Sequence, residues 1–109
     1  MQFIDIHNHI LPCVDDGSQS LEQSIRMLKI AYQEGIRAIC LTPHYMPPRY
    51  EMSVERLKKS RDLLQETLIQ EGIGIRLYLG HEIYYRQSTV EHILAGKALT
   101  LAESRYALV

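Results

Sequence analysis

The chain has 109 residues, of which 46% are apolar and 23% charged, and its formal net charge is −1. That length holds one domain with a modest core, and a charge so near zero provides no electrostatic grip on nucleic acid or a membrane surface. Met1-Gln2-Phe3-Ile4-Asp5 lacks the basic-then-apolar pattern of a secretory leader, and no later stretch is apolar for long enough to span a bilayer. With Cys13 and Cys40 far apart and outside any CxxC pattern, the expected location is a reducing, cytoplasmic one.

Taken in chain order, Gln2 to Ile6 is β-prone and apolar, a first strand. From Ser20 to Glu34, Leu21, Ile25, Leu28 and Ala31 recur at helical spacing. Ser20 and Gln23 occupy capping-box positions and Gly35 stops the helix. Ile36 to Leu41 is the second strand, and a loop rich in proline and tyrosine runs from Thr42 to Met52. Ser53 caps a long helix over Val54 to Glu71, with Leu57, Leu64 and Leu68 on its inner face and Gly72 at its end. Ile75 to Leu79 is the third strand, Thr89 to Ala95 a short helix closed by Gly96, and Tyr106 onward a fourth strand. Strands alternating with helices imply a parallel α/β sheet, either a barrel or a doubly wound sheet, with any active site at the carboxyl ends of the strands. Tyr106-Ala107-Leu108-Val109 reads as a strand entering a core, where complete domains rarely stop. Residues 1–109 are therefore expected to be the N-terminal part of a longer domain.

The chemistry-bearing residues fall at those strand ends. His7 and His9 are two apart on an extended segment, so their imidazoles point the same way, a spacing that suits two nitrogen ligands on one metal. Asp15-Asp16-Gly17 follows in the same loop, Thr42-Pro43-His44 ends the second strand and Gly80-His81-Glu82 ends the third. Each residue alone has an ordinary structural explanation. A strand-end histidine usually satisfies a local hydrogen bond, Asp15 or Asp16 can cap a helix or make a turn with Gly17, and Glu82 can be a solvated carboxylate. Their convergence on one face is what points to a metal site. His81 and His92 read as structural or surface residues, Tyr45, Tyr50, Tyr84 and Tyr85 as packing and rim, and Arg49 as an exposed arginine near the site mouth. Cysteine-based phosphatase chemistry is excluded, because the residue six after Cys13 is Gln19 and six after Cys40 is Met46, where an arginine is required. No Walker loop or GxSxG elbow occurs.

The segments Asp5-Ile6-His7-Asn8-His9-Ile10-Leu11-Pro12, Val14-Asp15-Asp16-Gly17, Thr42-Pro43-His44, Gly80-His81-Glu82-Ile83-Tyr84-Tyr85 and Ser104-Arg105-Tyr106-Ala107-Leu108 together resemble the polymerase and histidinol phosphatase (PHP) superfamily. Within it they are most similar to the bacterial capsule-type protein-tyrosine phosphatases. The resemblance implies the N-terminal portion of a distorted (β/α) TIM-like barrel carrying up to three divalent metals. It further implies that His7 and His9 bind the first metal, that Glu82 bridges two, and that Asp16 and His44 bind the third. Asp15 matches no ligand and serves to orient the loop. His7, His9 and Glu82 would form the catalytic core, with manganese favoured and iron or zinc compatible with the donors. The implied reaction is metal-assisted hydrolysis of a phosphotyrosine protein, in particular a tyrosine kinase of polysaccharide synthesis, without a phospho-enzyme. Two alternatives stand beside it. One is another phosphoesterase of the same superfamily, such as a histidinol phosphatase. The other is a non-catalytic metal-binding or interaction module that covers its open strand by self-association.

Overall fold

The computed structural model describes residues 3–109, so Gln2 of the expected first strand lies outside the described residues. Its elements in chain order are β1 (Phe3–Asp5), α1 (Leu21–Gln33), β2 (Ile36–Leu41), β3 (His44–Tyr45), α2 (Val54–Gln70), β4 (Arg76–Leu79), β5 (Glu82–Ile83), α3 (Thr89–Leu94) and a 3₁₀ turn at Leu101–Glu103. β1, β2 and β4 form a parallel sheet in that order, with Asp5 beside Ile39 and Leu41 beside Leu79. β3 and β5 form a second parallel pair in the register His44–Glu82.

Local signals set the helix bounds. The Ser20 hydroxyl accepts from Gln23 N (3.0 Å) and starts α1, while the Gln23 carboxamide accepts from Gln19 N (2.8 Å) instead of closing the box on Ser20. Ser53 caps α2 in the same way through Arg56 N. Gly35 and Gly72, with φ of 97° and 72°, take the left-handed conformation that ends each helix. Leu28 of α1 and Leu57, Leu64 and Leu68 of α2 are completely buried against Ile39, Leu41, Leu77 and Leu79 of the sheet. Each such side chain contributes roughly 2 kcal/mol through burial. Gln65 reaches from α2 to β4, where its carboxamide accepts from Leu77 N (2.8 Å) and donates to Ile75 O (2.9 Å), satisfying backbone groups at that strand.

Three features differ from the sequence reading. The proline- and tyrosine-rich loop contains β3, and β5 follows β4 directly; two-residue strands are too short to show a period. The segment from Tyr106 makes a single parallel bridge, Leu108 to Glu82, with Ile83 N donating to Leu108 O (2.9 Å). It is not a full strand, because the element it meets is itself only two residues long. β1 stops at Asp5, so His7 and His9 lie on the extended backbone just beyond it. Ile4, Ile6 and Tyr78 remain exposed.

Candidate metal centre

Every backbone path into the site is pinned. Asn8, between the two histidines, is tied to the end of β2: its N donates to Thr42 Oγ1 (2.9 Å), its Nδ2 to Cys40 O (3.0 Å), and the Thr42 hydroxyl donates back to Asn8 O (2.9 Å). Thr42 is fully buried. This clasp fixes the direction of the imidazoles on either side of Asn8. The β3–β5 pairing then brings His44 and Glu82 side by side, and Glu82 N donates to Pro43 O (2.9 Å).

The five residues singled out in the sequence meet at this point. Glu82 Oε2 lies 3.1 Å from His7 Nε2, and its Oε1 lies 3.0 Å from His9 Nε2 and 3.2 Å from His44 Nδ1. Asp16 Oδ1 is 3.2 Å from His44 Nε2. Among the described residues, His7, His9 and Glu82 form one potential ligand group, and His9, Asp15, Asp16 and His44 form a second that shares His9.

Asp15 takes a larger part than its sequence position suggested. Its carboxylate is fully buried and lies 2.8 Å from His9 Nδ1. The same oxygen accepts from His44 N (3.0 Å), and the other accepts from Gly17 N (2.9 Å). Asp15 therefore orients two histidines at once. The Asp-Asp-Gly turn signal was visible, but the reach to His44, 29 residues away, is a tertiary contact. Gly17 is equally constrained, since a Cβ there would overlap the carbonyl oxygen and Cβ of His9.

The donor chemistry fits a divalent cation. His9 faces a carboxylate with both ring nitrogens, Asp15 at Nδ1 and Glu82 at Nε2; His44 does the same with Glu82 at Nδ1 and Asp16 at Nε2. A neutral imidazole has only one N–H, so each ring aims one lone pair at a carboxylate. A cation between nitrogen and carboxylate removes the conflict. The 3.0–3.2 Å separations between Glu82 and the three imidazoles also match neighbouring ligands on a metal with ~2.1 Å bonds, for which an octahedral edge is ~3.0 Å.

The remaining histidines are structural. His81 is 2% exposed, its Nδ1 accepts from Leu99 N (2.8 Å), and burial lowers its pKa to about 4. Because the unfolded chain takes up this proton near pH 6.5 and the folded chain does not, stability is complete above that pH and is lost as pH falls toward 4. Urea melts of the wild-type protein should show His81 contributing a loss of ~1.4 kcal/mol per pH unit in that window, up to ~3 kcal/mol, and His81→Gln should flatten that part of the profile. His92, read as a surface residue, is half-buried and shares a 2.9 Å hydrogen bond through Nδ1 with the hydroxyl of buried Tyr45. Tyr50 stacks on His44 at 5.5 Å. Burial raises the pKa of the Cys40 thiol, and Cys13 and Cys40 are both unpaired.

Fold and site together define a mixed α/β protein with a histidine–carboxylate cluster at the carboxyl ends of parallel strands, suited to more than one divalent cation. The chain belongs to the CpsB/CapC family of capsular polysaccharide synthesis, whose model matches residues 3–109. A CapC protein of Staphylococcus aureus is 37% identical over 106 residues, spanning 97% of this chain and 42% of the relative. The tyrosine-protein phosphatases YwqE of Bacillus subtilis and CpsB of Streptococcus pneumoniae are each 34% identical over 106 residues, covering 97% of this chain and 42% and 44% of theirs. A crystal structure from work on YwqE and CpsB, described there as unique metal-dependent tyrosine phosphatases, is similar with a TM-score of 0.92 at 34% identity, over 97% of this chain and 43% of that one. The chain thus spans less than half the length of the relatives it matches.

Proposed function

We propose that the whole protein to which these residues belong is a metal-dependent protein-tyrosine phosphatase, and that residues 1–109 form the N-terminal part of its single (β/α) barrel domain of the PHP type. The observation that carries this reading is the Glu82 carboxylate set between the imidazoles of His7, His9 and His44. The tyrosine phosphatase activity named for YwqE and CpsB supports the choice of substrate. The exposed Ile4, Ile6 and Tyr78 support a sheet that further strands would cover.

In this reading His7 and His9 would hold one cation, Asp16 with His44 would hold another, and Glu82 would serve as a ligand to both. The mixed nitrogen and carboxylate donors suit manganese, with iron or zinc as competitors. When bound, the cations make hydroxide available near neutral pH and neutralise charge developing on the phosphoryl oxygens. The residues prepare that chemistry. The buried Asp15 carboxylate takes the Nδ1 proton of His9 as a hydrogen bond, which leaves the Nε2 lone pair directed at the Glu82 side. The Asn8–Thr42 clasp and the β3–β5 register keep His7, His44 and Glu82 in place without further reorganisation. The substrate would be a phosphotyrosine protein, in keeping with the family's place in capsule synthesis a tyrosine kinase of that process. Among the described residues no helix is long and apolar enough to cross a membrane, and with Cys13 and Cys40 both unpaired we place the protein in the cytoplasm.

Full-length protein loaded with manganese should hydrolyse a phosphotyrosine peptide. The double His7→Ala, His9→Ala variant should lose at least ~10²-fold in kcat. A double variant as active as the wild type would refute the proposal, and a strong preference for histidinol phosphate over the peptide would move the substrate to another branch of the superfamily.

A further inference from the structure

We infer that the buried hydroxyls of Ser18 and Ser24 are positioning groups for the metal centre, holding the loop after His9 in the form that presents His9 and Asp16 as ligands; this rests on the metal-centre part of the reading above. Ser18 and Ser24 are 1% and 0% exposed, and their hydroxyl oxygens lie 2.6 Å apart. The Ser24 hydroxyl also donates to Ile10 O, 14 residues back along the chain, and Ser18 Oγ lies 3.0 Å from Ser20 O. Two hydroxyl protons thus serve three contacts. At 2.6 Å the two serine oxygens need a proton between them. A relay in which Ser18 donates to Ser24, and Ser24 donates to Ile10 O, fills the two shortest contacts. It also satisfies the carbonyl of a residue that is only 6% exposed.

The relay acts where the loop leaves His9. Ser18 N donates to His9 O (2.9 Å) and the Ser24 hydroxyl to Ile10 O, so two successive carbonyls are held. Cys13 N donates to Ser18 O (2.9 Å), which closes the loop on the same residue. Gly17, next to Ser18, packs so closely on His9 that a Cβ would overlap its carbonyl oxygen and Cβ, so a displacement of Ser18 is passed on to His9. Ser24 lies inside α1, whose Ile25, Leu28 and Ala31 are buried in the core. His9 is therefore tied on one side to β2 through the Asn8–Thr42 clasp and on the other to α1 through the serine relay. Neither hydroxyl is bonded to a candidate ligand side chain, so its effect passes through the backbone. In Ser24→Ala the Ile10 carbonyl loses its hydroxyl donor, and in Ser18→Ala it keeps it, which ranks the two changes.

The test measures manganese binding to the full-length protein by calorimetry, with the thermal midpoint of the metal-free protein alongside. Ser24→Ala should bind manganese about tenfold more weakly, and Ser18→Ala about threefold more weakly. Ile75→Val serves as the control, because Ile75 is 2% exposed and lies just before β4, at the end of the strand away from the site. It should lower the midpoint by a similar few degrees while leaving the affinity within about twofold of the wild type. A Ser24→Ala protein that binds manganese as tightly as the wild type would overturn the inference. An equal loss of affinity in Ile75→Val would overturn it too, since the serines would then matter only for stability. Should Ser24→Ala fail to fold, Ser18→Ala decides, because it keeps the bond to Ile10 O; wild-type affinity there would overturn the inference. No turnover is read, so these outcomes leave the choice of phosphotyrosine as substrate untouched. A wild-type protein that bound no manganese would remove the metal-centre reading and this inference with it.

Discussion

Replacing Glu82 with glutamine should abolish activity while leaving the fold standing. The change is isosteric and the side chain is 27% exposed, so the thermal midpoint of the metal-free protein should move by only a few degrees. The site loses far more. The Glu82 carboxylate faces His7, His9 and His44 at 3.0–3.2 Å, so it touches both potential ligand groups, which also share His9. A carboxamide carries no charge to offset a divalent cation and presents an N–H₂ where one of the oxygens stood. At least ~10²-fold should be lost in kcat in the full-length protein, together with manganese affinity measured by calorimetry. Full activity in a well-folded Glu82→Gln variant would remove Glu82 from the centre of the account.

Gly17→Ala should be the second most damaging change, and for a purely steric reason. The new methyl would coincide with the carbonyl oxygen and Cβ of His9. Neither is the end of a flexible side chain, so the backbone at His9 or the loop at Gly17 has to move. Gly17 N also donates to Asp15 Oδ1, and Ser18 N donates to His9 O, so a shift there disturbs both the carboxylate that orients His9 and the backbone that carries it. Overpacking of this kind costs about 1–3 kcal/mol in stability, and disturbance of a ligand's supporting hydrogen bonds weakens metal affinity by about 10–100-fold. Thermal melts with and without manganese would check both effects. An unchanged midpoint and unchanged manganese affinity would show that the loop yields freely.

How much of this was legible beforehand differs from element to element. α1 and α2 were readable because each carries a capping serine, an apolar stripe and a terminal glycine, all local signals. β2 was found with its bounds because Ile36 to Leu41 is apolar apart from Arg37, with Gly35 before it and Thr42-Pro43 after it. β3 and β5 escaped notice because a strand of two residues has no periodicity, yet their register is what seats His44 against Glu82. The convergence of His7, His9, Asp16, His44 and Glu82 followed from placing each at a strand end, since parallel strands bring their carboxyl ends to one edge. The supporting residues were not readable. Asp15 looked like a turn residue and Asn8 carried no signal of its own, because their roles depend on partners in distant segments: His44 for Asp15, and Thr42 and Cys40 for Asn8. His92 looked exposed because its partner, Tyr45, is 47 residues away.

The central claim, that these strand ends hold divalent metal, is tested most directly by locating manganese in crystals of the full-length protein from its anomalous scattering. The account predicts one peak among His7, His9 and Glu82 and another beside Asp16 and His44, with Glu82 contacting both, and loss of the peaks in Glu82→Gln crystals grown under the same conditions. Manganese bound elsewhere, with Glu82 still in direct contact with the three imidazoles, would contradict it.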